Sequence, residues 1–178
     1  MRGARFILVW GLVLVGVSAL WAQTGCWARR EAVAAVYSSQ VGVREQGGNN
    51  RGPAVEGYLG CAGFGPGYAW CAAFVSWCFL EAGEAVTPTA WAPAWFPPAQ
   101  TIYRQGRGER QWLKADLFGL YYQRLGRIGH VGFIDTVQGD TMITVEGNTS
   151  GDGGREGDGV YRRRRSVRCV YAVRRVIQ

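Results

Sequence analysis

Tyr68-Ala-Trp-Cys-Ala-Ala-Phe-Val-Ser-Trp-Cys-Phe-Leu80 is apolar nearly all round, which predicts a central, buried helix. A loop with Gly60, Gly63, Gly65, Pro66 and Gly67 leads into it, and Gly83 supplies a C-terminal stop. Cys71 then falls in the first helical turn. Aligned peptide dipoles place positive charge there, which stabilises a thiolate and lowers the thiol pKa. The first-turn amides also point outward, where they can receive an oxyanion. On residues alone two readings of Cys71 stand: an activated nucleophile, or a buried small apolar side chain. Cys78, two turns deeper, reads as a buried thiol or a disulfide partner.

Working outward, Val33, Val36 and Tyr37 recur at helical spacing and predict a helix over residues 28–45. Gly47, Gly48, Asn49, Asn50 and Gly52 form a loop, and Pro53 opens a short helix through Tyr58. Residues 84–110 hold four of the six prolines and read as an irregular connection. Beyond Asp116 the texture changes to strands: Leu117–Tyr122, Ile128–Thr136, Thr141–Glu146, Gly159–Arg164 and Val167–Val176. Turns fall at Gly126, Gly139-Asp140 and Gly151–Asp158. Helices followed by about five antiparallel strands predict an α+β domain, with the central helix packed on the sheet.

His130 is the one histidine of the chain, so any imidazole chemistry must use it. Strand alternation puts it on one face with Gly132 and Ile134, and Gly129 and Gly132 leave room for close approach. Glu146 ends the next strand. A hairpin centred near Gly139 sets Glu146 opposite roughly residue 131, where a carboxylate can hold the imidazole and favour its charged form. Equally, Glu146-Gly-Asn148 can simply make the turn. One histidine and scattered cysteines give no zinc spacing. Residues 152–158 lack the ligand order of a calcium loop and read as a mobile turn. No phosphate-binding glycine loop is present. No metal and no cofactor are expected.

The chain has 178 residues, 48% of them hydrophobic and 19% charged, which suits one domain and excludes a wholly disordered chain. Arg2 and Arg5, the apolar run Phe6–Ala22 and small residues at its end read as a secretory signal over residues 1–22. The competing reading is an uncleaved membrane anchor. Lipidation of Cys26 is a further reading, for which Gln23 is a poor fit. A single domain over 23–178 remains. Losing Arg2 and Arg5 lowers the formal charge from +7 to +5. A basic exported protein suits an anionic envelope polymer. The rival is nucleic acid binding through Arg162–Arg165, which fits poorly with export. A plainly solvated basic face is the third reading. Five cysteines leave at least one unpaired, and the connectivity of Cys26, Cys61, Cys78 and Cys169 stays open.

Three stretches, in this order, resemble the CHAP family, the cysteine, histidine-dependent amidohydrolase/peptidases of the papain-like superfamily. Tyr68–Cys78 is similar to its nucleophile helix, Gly129-His-Val-Gly-Phe133 to its histidine strand, and Glu146-Gly-Asn148 to its third motif. Arg44–Pro53 resembles a loop of one subgroup. The resemblance covers about residues 30–176. It implies a papain-like α+β fold and hydrolysis of peptidoglycan, either between muramic acid and L-alanine or within the stem or cross-bridge. It implies Cys71 as nucleophile, His130 as base, Glu146 as orienting acid and Asn148 as a further polar site residue. Tyr68, Trp70, Trp91 and Trp95 are expected to meet substrate, with Tyr103 a further groove candidate. Peptidoglycan is the expected partner of a monomer, and nucleic acid is not expected. A membrane is involved only if the N-terminal segment is uncleaved or Cys26 is lipidated. Lys114-Ala-Asp116 departs from the family's Pro-Gly-Asp turn. Two other readings compete: a non-catalytic wall-binding module, and a papain-like protease acting on protein.

Overall fold

The computed structural model describes residues 24–151 and 157–178. The expected signal over 1–22 lies outside the described residues, as does most of the turn expected over 151–158. Helix α1 occupies residues 24–39, α2 Pro53–Gly60 and α3 Cys71–Glu81. Seven strands follow: β1 Thr101–Arg104, β2 Arg107–Gly108, β3 Leu117–Tyr122, β4 Arg127–Gln138, β5 Thr141–Thr149, β6 Gly159–Ser166 and β7 Ala172–Arg174. They form one antiparallel sheet in the order β2-β1-β7-β3-β4-β5-β6. The domain is α+β, as the helix-then-strand order predicts.

Helix α3 lies on β4 and β5. Its Phe74 and Phe79 pack against Phe133 and, with Trp70, Val131 and Val145, fill the core between helices and sheet. A second cluster, with Phe118, Ile134, Met142, Trp112 and Val173, covers the opposite face. Burial on both faces explains why these strands read as near-continuous apolar runs.

Four expectations need correction. The first helix stops at residue 39 rather than 45. Gly42 has φ +98° and donates to Val160 O, and Arg44 bridges Gly159, so sheet pairing takes over there. Helix α3 begins at Cys71, because Asn148 Oδ1 accepts from the Trp70 amide and holds that residue outside the helix. The connection over 84–110 contains β1 and β2, joined by Gln105 and Gly106, both at positive φ. Strand twist favours such a turn, but Gln-Gly is a weaker signal for it than Asn-Gly. Finally, Val167–Val176 is not one strand. A 3-10 turn at Val167–Cys169, capped by Ser166 Oγ, carries the chain from the β6 edge to β7, between β1 and β3. The sheet therefore has seven strands, not five.

Asp116 ties the ends of the fold together. It is fully buried, and its carboxylate accepts from Arg30, Arg175 and the Leu113 amide. Among the described residues no helix is long and apolar enough to cross a membrane.

Candidate active site

Cys71 is the first residue of α3 and is buried. It lines one cleft with His130. Burial pushes the thiol pKa up, but interaction with the His130 ring and its charge, and with the Val131 and Ala72 amides, outweighs it, so the net shift is downward. Positive charge at the helix start acts in the same direction.

His130 reaches the thiol because β4 is irregular beside it. Leu120 pairs with His130 but Tyr121 pairs with Ile128, so Gly129 is an extra residue, a β-bulge that re-aims the strand. A Cβ on Gly129 would lie 2.3 Å from the Tyr122 ring, so no larger residue fits. His130 Nε2 lies 2.8 Å from Glu146 Oε2, which leaves Nδ1 for the thiol. Burial lowers the imidazole pKa, but the bonds to Cys71 and Glu146 raise it further, to about 9. Both shifts favour the thiolate and imidazolium forms of the pair.

Register delivers Glu146. Phe133 pairs with Val145, which sets Glu146 level with Gly132, one residue from the position the hairpin arithmetic gives. A Cβ on Gly132 would lie 2.8 Å from Glu146 Cγ and 2.9 Å from Phe118 Cε1, so glycine opens the path of this side chain toward His130. Glu146 is fully buried, which opposes ionisation. Arg165 and His130 overcome this and hold the carboxyl far below the usual carboxylate range. Arg165 Nε and Nη2 each donate to a Glu146 oxygen at 2.6 Å, and Thr144 Oγ1 donates to Oε1. A chain of contacts runs from Arg165 through Glu146 and His130 to Cys71.

Asn148, at φ +53°, does not touch His130 in this network. Besides capping Trp70, its amide nitrogen donates to Asn50 Oδ1 and Gly157 O. Glu45 accepts from Trp70 Nε1 and from the Asn50 amide. The Arg44–Pro53 loop is thereby fastened beside the helix start.

A cleft of about 170 Å³ opens over Cys71 and His130, lined also by Asn49, Asn50, Tyr122 and Arg127. Of the four aromatic residues expected to meet substrate, Tyr68 and Trp91 are 56% and 52% exposed. Trp70 and Trp95 are core residues, as is Tyr103, and neither indole presents a free N–H: Trp70 bonds Glu45 and Trp95 bonds Ala72 O. Burial removes these three from direct contact with a polymer at the surface. All five cysteines are free thiols in this structure.

Sequence reading misses Arg165, Glu45, Asn50 and Arg127. Arg165 was visible in principle: in a strand, residues two apart share a face, which sets Arg163 and Arg165 apart from Arg162 and Arg164. Glu45 and Asn50 lie within the quoted loop, but nothing local marks which of its side chains turn inward.

The CHAP domain family model matches residues 63–148, a span that includes Cys71, His130, Glu146 and Asn148. Among solved structures the chain is similar to the peptidoglycan hydrolase RipB from Mycobacterium tuberculosis, at 18% identity and a TM-score of 0.45, over 87% of this chain and 68% of that one. No curated protein matches the chain.

Proposed function

From the match of residues 63–148 to the CHAP domain family model, we propose that the protein is an exported peptidoglycan hydrolase that cuts an amide bond through a Cys71 acyl-enzyme. The family match supports peptidoglycan amide hydrolysis in general terms. The observation that carries the mechanism is buried Cys71 at the start of α3, in one cleft with His130, whose Nε2 lies 2.8 Å from Glu146 Oε2. The basic start and apolar run of residues 1–22 support export, with that segment as signal or anchor and 23–178 as the catalytic domain. All three groups come from one chain, which supports a monomer.

In this mechanism the Cys71 thiolate attacks the scissile carbonyl carbon. The C–S bond forms, and the oxygen's negative charge is received at the amides of the helix start. The C–N bond then breaks as His130 gives its proton to the departing amine. Water enters, His130 takes one of its protons, and the hydroxide attacks the thioester. The acid product leaves and the thiolate returns. Glu146 keeps the imidazole oriented throughout and favours its charged form before attack and after water is activated, and Asn148 fixes the backbone before the nucleophile.

The test uses the full chain beside its Cys71→Ala variant, each incubated with purified sacculi, with soluble products read by mass spectrometry. Wild type alone should release fragments, and Cys71→Ala should lose on the order of a thousand-fold or more, because such groups act as a unit. Product masses and new termini distinguish muramoyl-alanine cleavage from stem or cross-bridge cleavage. Binding of sacculi with no release by either folded protein would replace the hydrolase with a wall-binding module. Release from protein substrates alone would replace it with a protease.

A further inference from the structure

The cleft is basic wherever its lining is charged. Among the described lining residues the charged side chains are Arg127 and His130, and none is acidic. The nearby carboxylates are committed elsewhere: Glu146 to His130 and Arg165, Glu45 to Trp70 and the Asn50 amide. Arg127 opens β4, three residues before His130, and is half-buried. Its guanidinium carbon sits 4.0 Å from the centroid of the exposed Trp91 ring. Its Nη1 donates to Ile128 O at 3.1 Å, and among the described residues no carboxylate pairs with it. By contrast, Arg30, Arg162, Arg165 and Arg175 each bond an acid. Arg127 therefore faces the cleft with most of its five donors unspent. Stacking on an indole fixes the plane of the fork and shields one side from water, which prepares it for a planar, two-oxygen anion.

We propose that Arg127, braced by Trp91, is the specificity-determining residue that takes a free carboxylate of the substrate beside the scissile amide. This rests on the peptidoglycan hydrolase reading and deepens it: the substrate class is a stem peptide bearing an ionised carboxylate there, rather than the carboxamide that some walls carry. A carboxamide presents one acceptor and no charge to the fork, and one N–H₂ donor that Arg127 cannot use.

The experiment compares two purified muropeptides that differ only in a free carboxylate or carboxamide on the stem residue next to the cleaved bond. Turnover is measured with the full-length wild type, Arg127→Gln and Arg127→Lys. Binding of the same pair is measured calorimetrically on Cys71→Ala. Wild type should favour the carboxylate form by about tenfold or more in kcat/KM, a ratio suited to one charge-assisted contact. Arg127→Gln should bring the carboxylate form down to the carboxamide rate, chiefly through KM, and Arg127→Lys should keep part of the preference. Equal use of both forms by wild type overturns the proposal and leaves the hydrolase reading intact. So does a loss in Arg127→Gln that is the same for both forms, which marks a structural role. Discrimination in binding without turnover by wild type sustains the carboxylate subsite and overturns the hydrolase reading. Neither binding nor turnover overturns both.

Discussion

Replacing Arg165 by glutamine measures how far the charge order of the site depends on a residue outside the cleft. Two hydrogen bonds of 2.6 Å join Arg165 to the buried Glu146 carboxylate. Each is charge-assisted and contributes roughly 1.5–3 kcal/mol. The Arg165 side chain is 18% exposed, so water replaces part of what is lost. A net loss of about 2–3 kcal/mol follows, below the 3–5 typical when a fully buried pair is broken. In a chain of this size that corresponds to a fall in Tm of roughly 5–10 °C. The pH dependence has a definite sign. Glu146 is held below its ordinary value of 4.5, so its stabilising contribution is present above that value and is lost as pH falls toward the folded-state value. Without Arg165 the folded-state value rises. The stability gap between wild type and Arg165→Gln is therefore full at neutral pH and narrows on acidification, once Glu146 in the variant takes up a proton. Urea unfolding across pH 4–7, in a cycle with Glu146→Gln, isolates the pair. A coupling under about 0.5 kcal/mol at pH 7, or a gap that widens with acid, would refute the clamp.

Gly132→Ala places a methyl 2.8 Å from Glu146 Cγ and should drive that side chain off His130, cutting kcat more than tenfold while costing about 1–3 kcal/mol in urea melts. Asp116→Ala strands the buried Arg30 and should cost about 3–5 kcal/mol by the same melts, because a buried charge is left without its partner. Cys71 should be alkylated by iodoacetamide near pH 6.5 ahead of Cys61 and Cys78, since its thiol pKa is lowered while burial raises theirs. His130→Ala should remove that lead, with site-resolved mass spectrometry as the readout.

The central helix and β3 to β5 were legible because their apolar content is high and glycines punctuate the chain around them, so burial and element type agree. The hairpin of β1 and β2 was not. Four prolines in residues 84–110 announce irregular chain, and the short pairing there comes from the neighbouring β7 rather than from local preference. The crossover at Val167–Cys169 was hidden for a related reason: its residues are β-formers, and only the edge-to-interior path of the chain breaks them into a turn. At the site, Cys71 stood out at the start of an apolar helix behind a glycine-rich loop, and His130 stood out between two glycines, whose work the structure shows. Gly129 makes the bulge under Tyr122, and Gly132 clears the way for Glu146. The aromatic residues were the least legible. Trp70 and Trp95 satisfy their N–H groups internally, which lets large side chains that looked suited to a groove lie wholly in the core.

The run Arg162-Arg-Arg-Arg165 shows why charge counted along a chain misplaces function. As sequence it is a basic patch, and a patch suggests an anionic polymer. Folded, Arg162 pairs with Asp135, Arg163 donates to Thr149 and Ser150, and Arg165 clamps Glu146. A phosphate backbone laid on this strand would have to compete for donors already bound, one of which keeps Glu146 ionised. The cation without a carboxylate in the described structure that also faces the cleft is Arg127, 35 residues before Arg162 and unremarkable in sequence. Its prominence comes from what surrounds it: neutral asparagines, a tyrosine, and carboxylates turned to other partners. Electrostatic attraction to a substrate depends on the charge left after internal pairing. By that measure the chain presents positive charge to the cleft at Arg127 and His130, while its most basic segment braces Glu146 behind them.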